Sequence, residues 1–248
     1  MKKNKQVDYR ARIYERYAVN FQDASETFDD VAALRWGMGY RYYLRNWLPA
    51  NKNSAIVDVA CGGGKLLSFF KNMQYKNIAG VDISSQQVRL ARQVTPFVDE
   101  ANILEWLEAH PSAFDLITGL DIIEHLDKSE VLRFLDASYG ALKPGGRLIL
   151  QTPNAESPWG SFIRYADFTH ELGFSSTLLS RLLDLSGFQG MEVREAGPVP
   201  RGYSVFSSLR YIVWGVIRAL LKIWNLAETG SPGSGVFTRV FLIKADKQ

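Results

Sequence analysis

At 248 residues with 46% hydrophobic side chains, the chain can bury one sizeable α/β core and falls short of two full domains, so it reads as a single domain. A lone cysteine, Cys61, excludes a disulfide framework, and the opening MKKNKQVDYR lacks the apolar core of a secretion signal, so a reducing, cytoplasmic setting is expected. The net charge of +3 is uneven: residues 1–20 carry +4, residues 201–248 carry +5 and the middle carries −6, a balance that argues against a nucleic-acid partner for the middle of the chain.

Helical spacing predicts a helix over Tyr9–Asn20 with Ile13, Tyr14 and Tyr17, and a second over Thr27–Trp47 with Val31, Leu34, Met38 and Tyr42 on one stripe. Helices that precede the first strand cannot extend a sheet, so residues 1–50 are expected to form a cap over its edge or over the mouth of a site. Residues 51–200 then read as the core and 201–248 as an added helix with a last strand.

The stretch AIVDVACGGG opens the core. Ile56, Val57 and Val59 predict a buried strand over Ala55–Ala60, three glycines let the backbone turn sharply, and a helix follows over Lys65–Met73. A second strand, Asn77–Ile83, carries Asp82, which lies 24 residues after Asp58, close to the spacing at which a carboxylate grips a ribose diol. Leu66 stands where a P-loop needs Ser or Thr, and the glycine spacing is not GxGxxG, so a nucleoside without phosphates fits best.

The alternation continues. Ser84 with Gln87 opens a helix to Val94; a short strand over Val98–Ile103 and a helix over Leu104–Ala109 follow; then come strand Phe114–Leu120, helix Ser129–Leu142, the turn LKPGG and strand Arg147–Thr152. Residues 153–176 read as a long loop of specific content, followed by helix Ser176–Ser186, strand Gln189–Glu195 and strand Val236–Lys244.

Through VDVACGGG, VDIS, AFDLITGLDIIEHL and LKPGG, the region from Ser54 to Gln151 resembles the class I S-adenosylmethionine (SAM)-dependent methyltransferases. The resemblance implies a doubly wound, Rossmann-like sheet of seven strands, mostly parallel with an antiparallel last strand, and SAM as the cofactor. It places Asp58, Ala60, Gly62, Gly64, Asp82, Ile83 and Leu120 around the cofactor, with Asn102 meeting the adenine amino group and Ile103 packing on the ring. Ala60 departs from the family loop, which has glycine there. N-terminal helices close over the site in related enzymes, which makes Tyr14, Arg35 and Arg41 candidates to face substrate, together with Arg164 and Tyr165 from the long loop.

Transfer to a hydroxyl needs a group to remove its proton. His125, beside Glu124 in the loop after the fourth strand, occupies the position of a general base in related sugar-directed methyltransferases, and His170 with Asp167 is the competing base. Glu124 completes the catalytic set. Asp121, Glu124 and His125 lack a further ligand at fixed spacing, so no metal site is read. The run from Arg164 to His170 resembles a loop found in methyltransferases of bacterial surface-glycan gene clusters.

Residues 206–226 form an apolar run interrupted by Arg210, Arg218 and Lys222, charges that disfavour a membrane span. On a helix these three share a side with Asn225, opposite Ile212, Val213, Val216, Ile217, Leu220, Ile223 and Trp224, the layout of a helix lying in a membrane interface. The same apolar face could pack on the sheet or on a second subunit. The expected function is SAM-dependent O-methylation of a sugar hydroxyl of a bacterial surface glycan or its lipid-linked precursor, at the inner face of the membrane. The alternatives are methylation of a lipophilic, quinone-like small molecule, or a non-catalytic binding subunit of the same fold.

Overall fold

The computed structural model describes residues 26–200 and 203–248, together with Ile13. The expected helix over Tyr9–Asn20 and the substrate candidate Tyr14 therefore lie outside the described residues.

In chain order the elements are α1 (Asp30–Tyr43), β1 (Ala55–Val59), α2 (Lys65–Asn72), β2 (Asn77–Asp82), α3 (Ser85–Ala91), β3 (Val98–Glu100), α4 (Ile103–Glu108) and β4 (Phe114–Leu120). A 3-10 turn over Ile123–His125 leads to α5 (Lys128–Ala141), β5 (Leu142–Pro153), α6 (Gly160–Ala166), α7 (Ser176–Leu185), β6 (Gln189–Glu195), α8 (Val205–Thr229) and β7 (Val240–Asp246). The strands make one sheet in the order β3-β2-β1-β4-β5-β7-β6. The pairs from β3 to β5 are parallel and β7 is antiparallel to both β5 and β6, as expected for this fold.

Alternation along the strands feeds two cores. Val57, Val59, Ile117, Leu148 and Leu150 face one side with α4, α5 and α7, while Ile56, Leu116, Ile149 and Leu242 face the other with α1 and α2. Strands buried on both faces need apolar residues at successive positions, which is why these segments read as continuous hydrophobic runs.

Five local readings change. The buried stripe of α1 is Ala33, Gly37 and Tyr40, leading on to the buried Leu44 and Trp47, whereas Val31, Leu34 and Met38 are exposed. The reason is steric: a Cβ on Gly37 would stand 3.2 Å from Phe69 of α2, so this helix packs through its smallest residues. Strand β5 starts at Leu142 rather than Arg147, because Leu142 pairs with Phe114 and the KPGG turn is absorbed as a register shift. β7 starts at Val240 rather than Val236, since the Val236 and Thr238 carbonyls accept from Asn154 Nδ2, at 2.9 Å each, instead of from a strand. The segment read as a loop over 153–176 contains α6.

The fifth change concerns α8. It forms where predicted, but Ser207 is its one buried residue, and Ile212, Val213, Val216, Ile217, Leu220, Ile223 and Trp224 are all exposed. The side that faces the protein carries Ser207, Trp214, Arg218 and Asn225: Trp214 Nε1 and Arg218 Nη1 each donate to Glu195 Oε2 at 3.1 Å. Arg218 is thus tied to the end of β6 rather than turned outward with Arg210 and Lys222. No helix among the described residues is long and apolar enough to cross a membrane.

Candidate active site

The ends of β1, β2 and β4 meet at one edge of the sheet. After Val59 the chain turns through Ala60 (φ 53°), Gly62 (φ 50°) and Gly64 (φ 88°), and Cys61 N donates to the Val81 carbonyl at 3.1 Å. Ala60 adopts the left-handed backbone that its usual glycine would take without strain, so the substitution keeps the loop's path. A Cβ on Gly63 would stand 2.7 Å from Leu90, which ties the inner side of the loop to α3. A Cβ on Gly62 would meet nothing nearer than Gln87 at 4.0 Å, so the outer side is open backbone.

Asp82 is buried at the end of β2. Its Oδ2 accepts from Gly62 N and its Oδ1 from Ser84 N, each at 2.8 Å, which fixes the carboxylate beside the open loop. Burial raises its pKa, and the backbone donors pull it back. Asp58, also buried, accepts from Thr118 Oγ1 at 2.7 Å, and burial, with the Asp82 charge adding, pushes it up to about 7. Ile83, 54% exposed, is an apolar wall next to Asp82. Asn102 caps α4 through Oδ1, which accepts from Leu104 N at 2.9 Å, so its amide donors are what it offers outward. Ile103 is buried in the core, and half-buried Leu120 closes the edge at β4.

Beyond β4 a second group assembles. Asp121, in left-handed backbone at φ 53°, lies on an open part of the surface yet deep among protein atoms. That desolvation raises its carboxyl, and Gln151 and His170 draw it back. Both its oxygens accept from Gln151 Nε2, at 3.1 and 2.9 Å, while Gln151 Oε1 accepts from the Tyr40 hydroxyl at 2.8 Å. Burial raises the Tyr40 pKa. Glu124 is 1% exposed; Thr152 Oγ1 donates to its Oε2 at 3.0 Å, and Oε1 has no hydrogen-bond partner among the described residues. Burial first, and the Asp121 charge second, raise its pKa well above the usual carboxylate range.

The loop 167–172 returns across this point, because Glu171 N and Leu172 N both donate to the Glu124 carbonyl, at 2.8 and 3.2 Å. His170 thereby joins Glu124 and His125, with ligand-capable atoms of all three within 4.8 Å of one another. This trio is the metal-capable group that spacing along the chain did not reveal. Thr169 Oγ1 donates to Asp167 Oδ1 at 2.6 Å and so accepts from His125 Nδ1 at 2.8 Å, which leaves the His125 lone pair on Nε2. His170 Nδ1 bonds the Ile163 carbonyl at 3.2 Å, with the same result.

The remaining candidates are dispersed. Arg164 is spent on the loop itself, donating to the carbonyls of His170 and Glu171. Tyr165 is exposed on the rim of a cleft of about 190 Å³ that runs past His170, Ser161 and Leu172. Arg35 is exposed on α1, and Arg41 bonds Met73 Sδ at 3.4 Å, at the end of α2 away from the glycine loop. A larger hollow between α4 and α5, lined by Glu108, Pro111 and Arg133, lies at the opposite end of the strands and shares nothing with this site. Tyr40, Gln151, Thr152 and Thr169 were missed in the sequence, where nothing local marks them.

A glycine loop with a ribose-type carboxylate at the head of a 3-2-1-4-5-7-6 sheet defines the class of protein. A family model for a methyltransferase domain matches residues 32–193, and the chain belongs to that family. The chain is similar to the mouse small RNA 2'-O-methyltransferase, 26% identical over 151 residues, or 54% of this chain and 38% of that protein. It is also similar to the ubiquinone biosynthesis O-methyltransferase of Idiomarina loihiensis, 33% identical over 118 residues, or 45% of this chain and 47% of that protein. The matched stretch thus spans less than half the length of either relative. The crystal structure of a SAM-dependent methyltransferase from Archaeoglobus fulgidus shares the fold, with a TM-score of 0.62 at 20% identity over 86% of this chain and 94% of that one.

The residues fit SAM, the family's methyl donor. The open backbone at Gly62, the fixed carboxylate of Asp82 and the apolar Ile83 suit a nucleoside, and no Lys or Arg among the loop residues Ala60–Gly64 answers a phosphate.

Proposed function

We propose that this protein is a SAM-dependent O-methyltransferase whose acceptor is a hydroxyl carried on a lipid and methylated at a membrane surface. When bound, SAM supplies a methyl group already activated on a sulfonium sulfur. The chain's own contribution is to hold the nucleoside at Gly62 and Asp82, to seat the acceptor in the cleft beside His170, and to activate its hydroxyl at Glu124, His125 and His170. Both curated relatives carry names of O-methyltransferases, which supports oxygen as the accepting atom.

The observation that carries the lipid is the placement of α8. β5 and β6 run in the same direction, since each is antiparallel to β7, so Glu195 at the end of β6 lies at the same end of the sheet as Pro153 and the cleft. Through Trp214 and Arg218, Glu195 fixes α8 there with its apolar face outward and Arg210 and Lys222 exposed, an arrangement complementary to an anionic bilayer. Tyr165 lines the same cleft, and Trp159, Phe162 and Phe168, on α6 or flanking it, are exposed apolar side chains of the same segment.

The first reading of the acceptor is a sugar hydroxyl of a lipid-linked glycan precursor, motivated by the loop from Arg164 to His170. The second is a phenolic, polyprenylated quinone precursor, which the ubiquinone O-methyltransferase relatives favour. Incubation with methyl-labelled SAM and vesicles carrying either acceptor decides between them. Label in the glycan lipid supports the first, label in the phenol the second, and label in neither overturns the lipid-linked acceptor.

A further inference from the structure

We propose that Glu124, His125 and His170 hold a divalent transition-metal ion that binds the acceptor oxygen. The proposal rests on the reading that the acceptor hydroxyl is activated at this cluster, and it goes beyond it by replacing a histidine base with a cation. Three observations carry it.

The first is proximity. The ligand-capable atoms of Glu124, His125 and His170 lie within 4.8 Å of one another, on a 3-10 turn and a loop that join 45 residues apart through backbone hydrogen bonds.

The second is the orphan oxygen. Glu124 is 1% exposed, Thr152 satisfies Oε2, and Oε1 has no hydrogen-bond partner among the described residues. It forms no salt bridge among the described residues. A buried carboxylate oxygen without donor or cation is unfavourable, and a cation placed between it and the two imidazoles removes that cost.

The third is the orientation of the histidines. A metal-bound imidazole donates its other N–H to a carboxylate, hydroxyl or carbonyl that fixes the tautomer. His125 Nδ1 donates to Thr169, itself held by Asp167, and His170 Nδ1 faces the Ile163 carbonyl. Both lone pairs are therefore on Nε2.

Two imidazoles and one carboxylate suit a transition metal better than magnesium, and three protein ligands leave coordination positions for water or substrate. An acceptor hydroxyl bound there becomes more acidic: its O–H bond breaks, the electron pair stays on oxygen and the proton passes to solvent water.

The test uses the full chain with Co2+ or Zn2+ as probe. Calorimetry should give one ion per chain, with the visible absorption of low-coordinate Co2+, and His125→Asn and His170→Asn should each weaken binding at least tenfold. Glu124→Gln should do likewise; should it fail to fold, the two histidine variants decide. No stoichiometric binding, or binding unchanged in both histidine variants, overturns the proposal. Methyl transfer measured on the same preparations separates the two readings. Transfer that keeps its full rate after chelation overturns the cation and spares the O-methyltransferase. A bound ion lost in the histidine variants, without transfer to any lipid acceptor, upholds the metal site and overturns the function.

Discussion

His125 Nδ1 and the Thr169 hydroxyl meet at 2.8 Å, and because that hydroxyl donates its hydrogen bond to Asp167 at 2.6 Å, it accepts from Nδ1 and holds the His125 ring in a single tautomer. Residues 44 positions apart in the chain thus set which nitrogen faces the acceptor.

Replacing Thr169 by valine keeps the shape of this buried side chain and removes the acceptor of the Nδ1 proton. The expected outcome is a fall in kcat of about tenfold or more, with affinity for S-adenosylhomocysteine unchanged, whereas Thr169→Ser retains activity. Steady-state kinetics beside calorimetry check this, and an unaltered kcat in Thr169→Val would remove the relay from the mechanism.

Asp58 sets a pH dependence of stability. Burial raises its pKa from 3.8 in the free side chain to about 7 in the fold, so the folded state holds a proton that the unfolded chain releases between these values. Its contribution to stability is fully present below pH 3.8 and is lost as pH rises to about 7, at roughly 1.4 kcal/mol per pH unit, and Asp58→Asn removes that slope. Urea denaturation of both proteins at several pH values measures the difference. A gap between variant and wild type that stays constant with pH would mean that Asp58 titrates in the fold as it does in the unfolded chain.

The apolar face of α8 is testable because it is exposed. Leu220→Glu combined with Trp224→Glu, at side chains 61% and 67% exposed, should leave thermal stability within about 0.5 kcal/mol and abolish sedimentation with anionic vesicles. Arg210→Glu with Lys222→Glu should weaken the same binding chiefly at low salt. Arg218→Glu differs, since it sets a second carboxylate against Glu195 and should lower stability itself. A wild type that stays in the supernatant, or a dimer that the glutamates dissociate, would make this face a subunit contact instead.

Much of the fold was legible because it is written locally. Runs such as Ala55–Val59 and Phe114–Leu120 are apolar at successive positions, as strands covered on both faces must be, and the glycine loop and Asp82 sit at strand ends that those runs predict. The inward face of α1 was not legible, because close approach to Phe69 at Gly37 outweighs the hydrophobicity of Val31, Leu34 and Met38. The direction of α8 depended on Glu195, whose position follows from how β6 joins the sheet. The convergence of His170 with Glu124 was hidden for a similar reason, since Arg164 and the Glu124 carbonyl set the path of that loop and neither bond has a sequence signature.

The donor site is tested most directly by calorimetry of S-adenosylhomocysteine with the wild type and with Asp82→Ala. Asp82 is held beside the open loop by Gly62 N and Ser84 N at 2.8 Å each. One molecule should bind per wild-type chain, and Asp82→Ala should lose about 1.5 to 3 kcal/mol, the worth of hydrogen bonds to a charged group, while remaining folded. No binding by the wild type, or equal affinity in the variant, would contradict the assignment of the glycine loop and Asp82 as the nucleoside site.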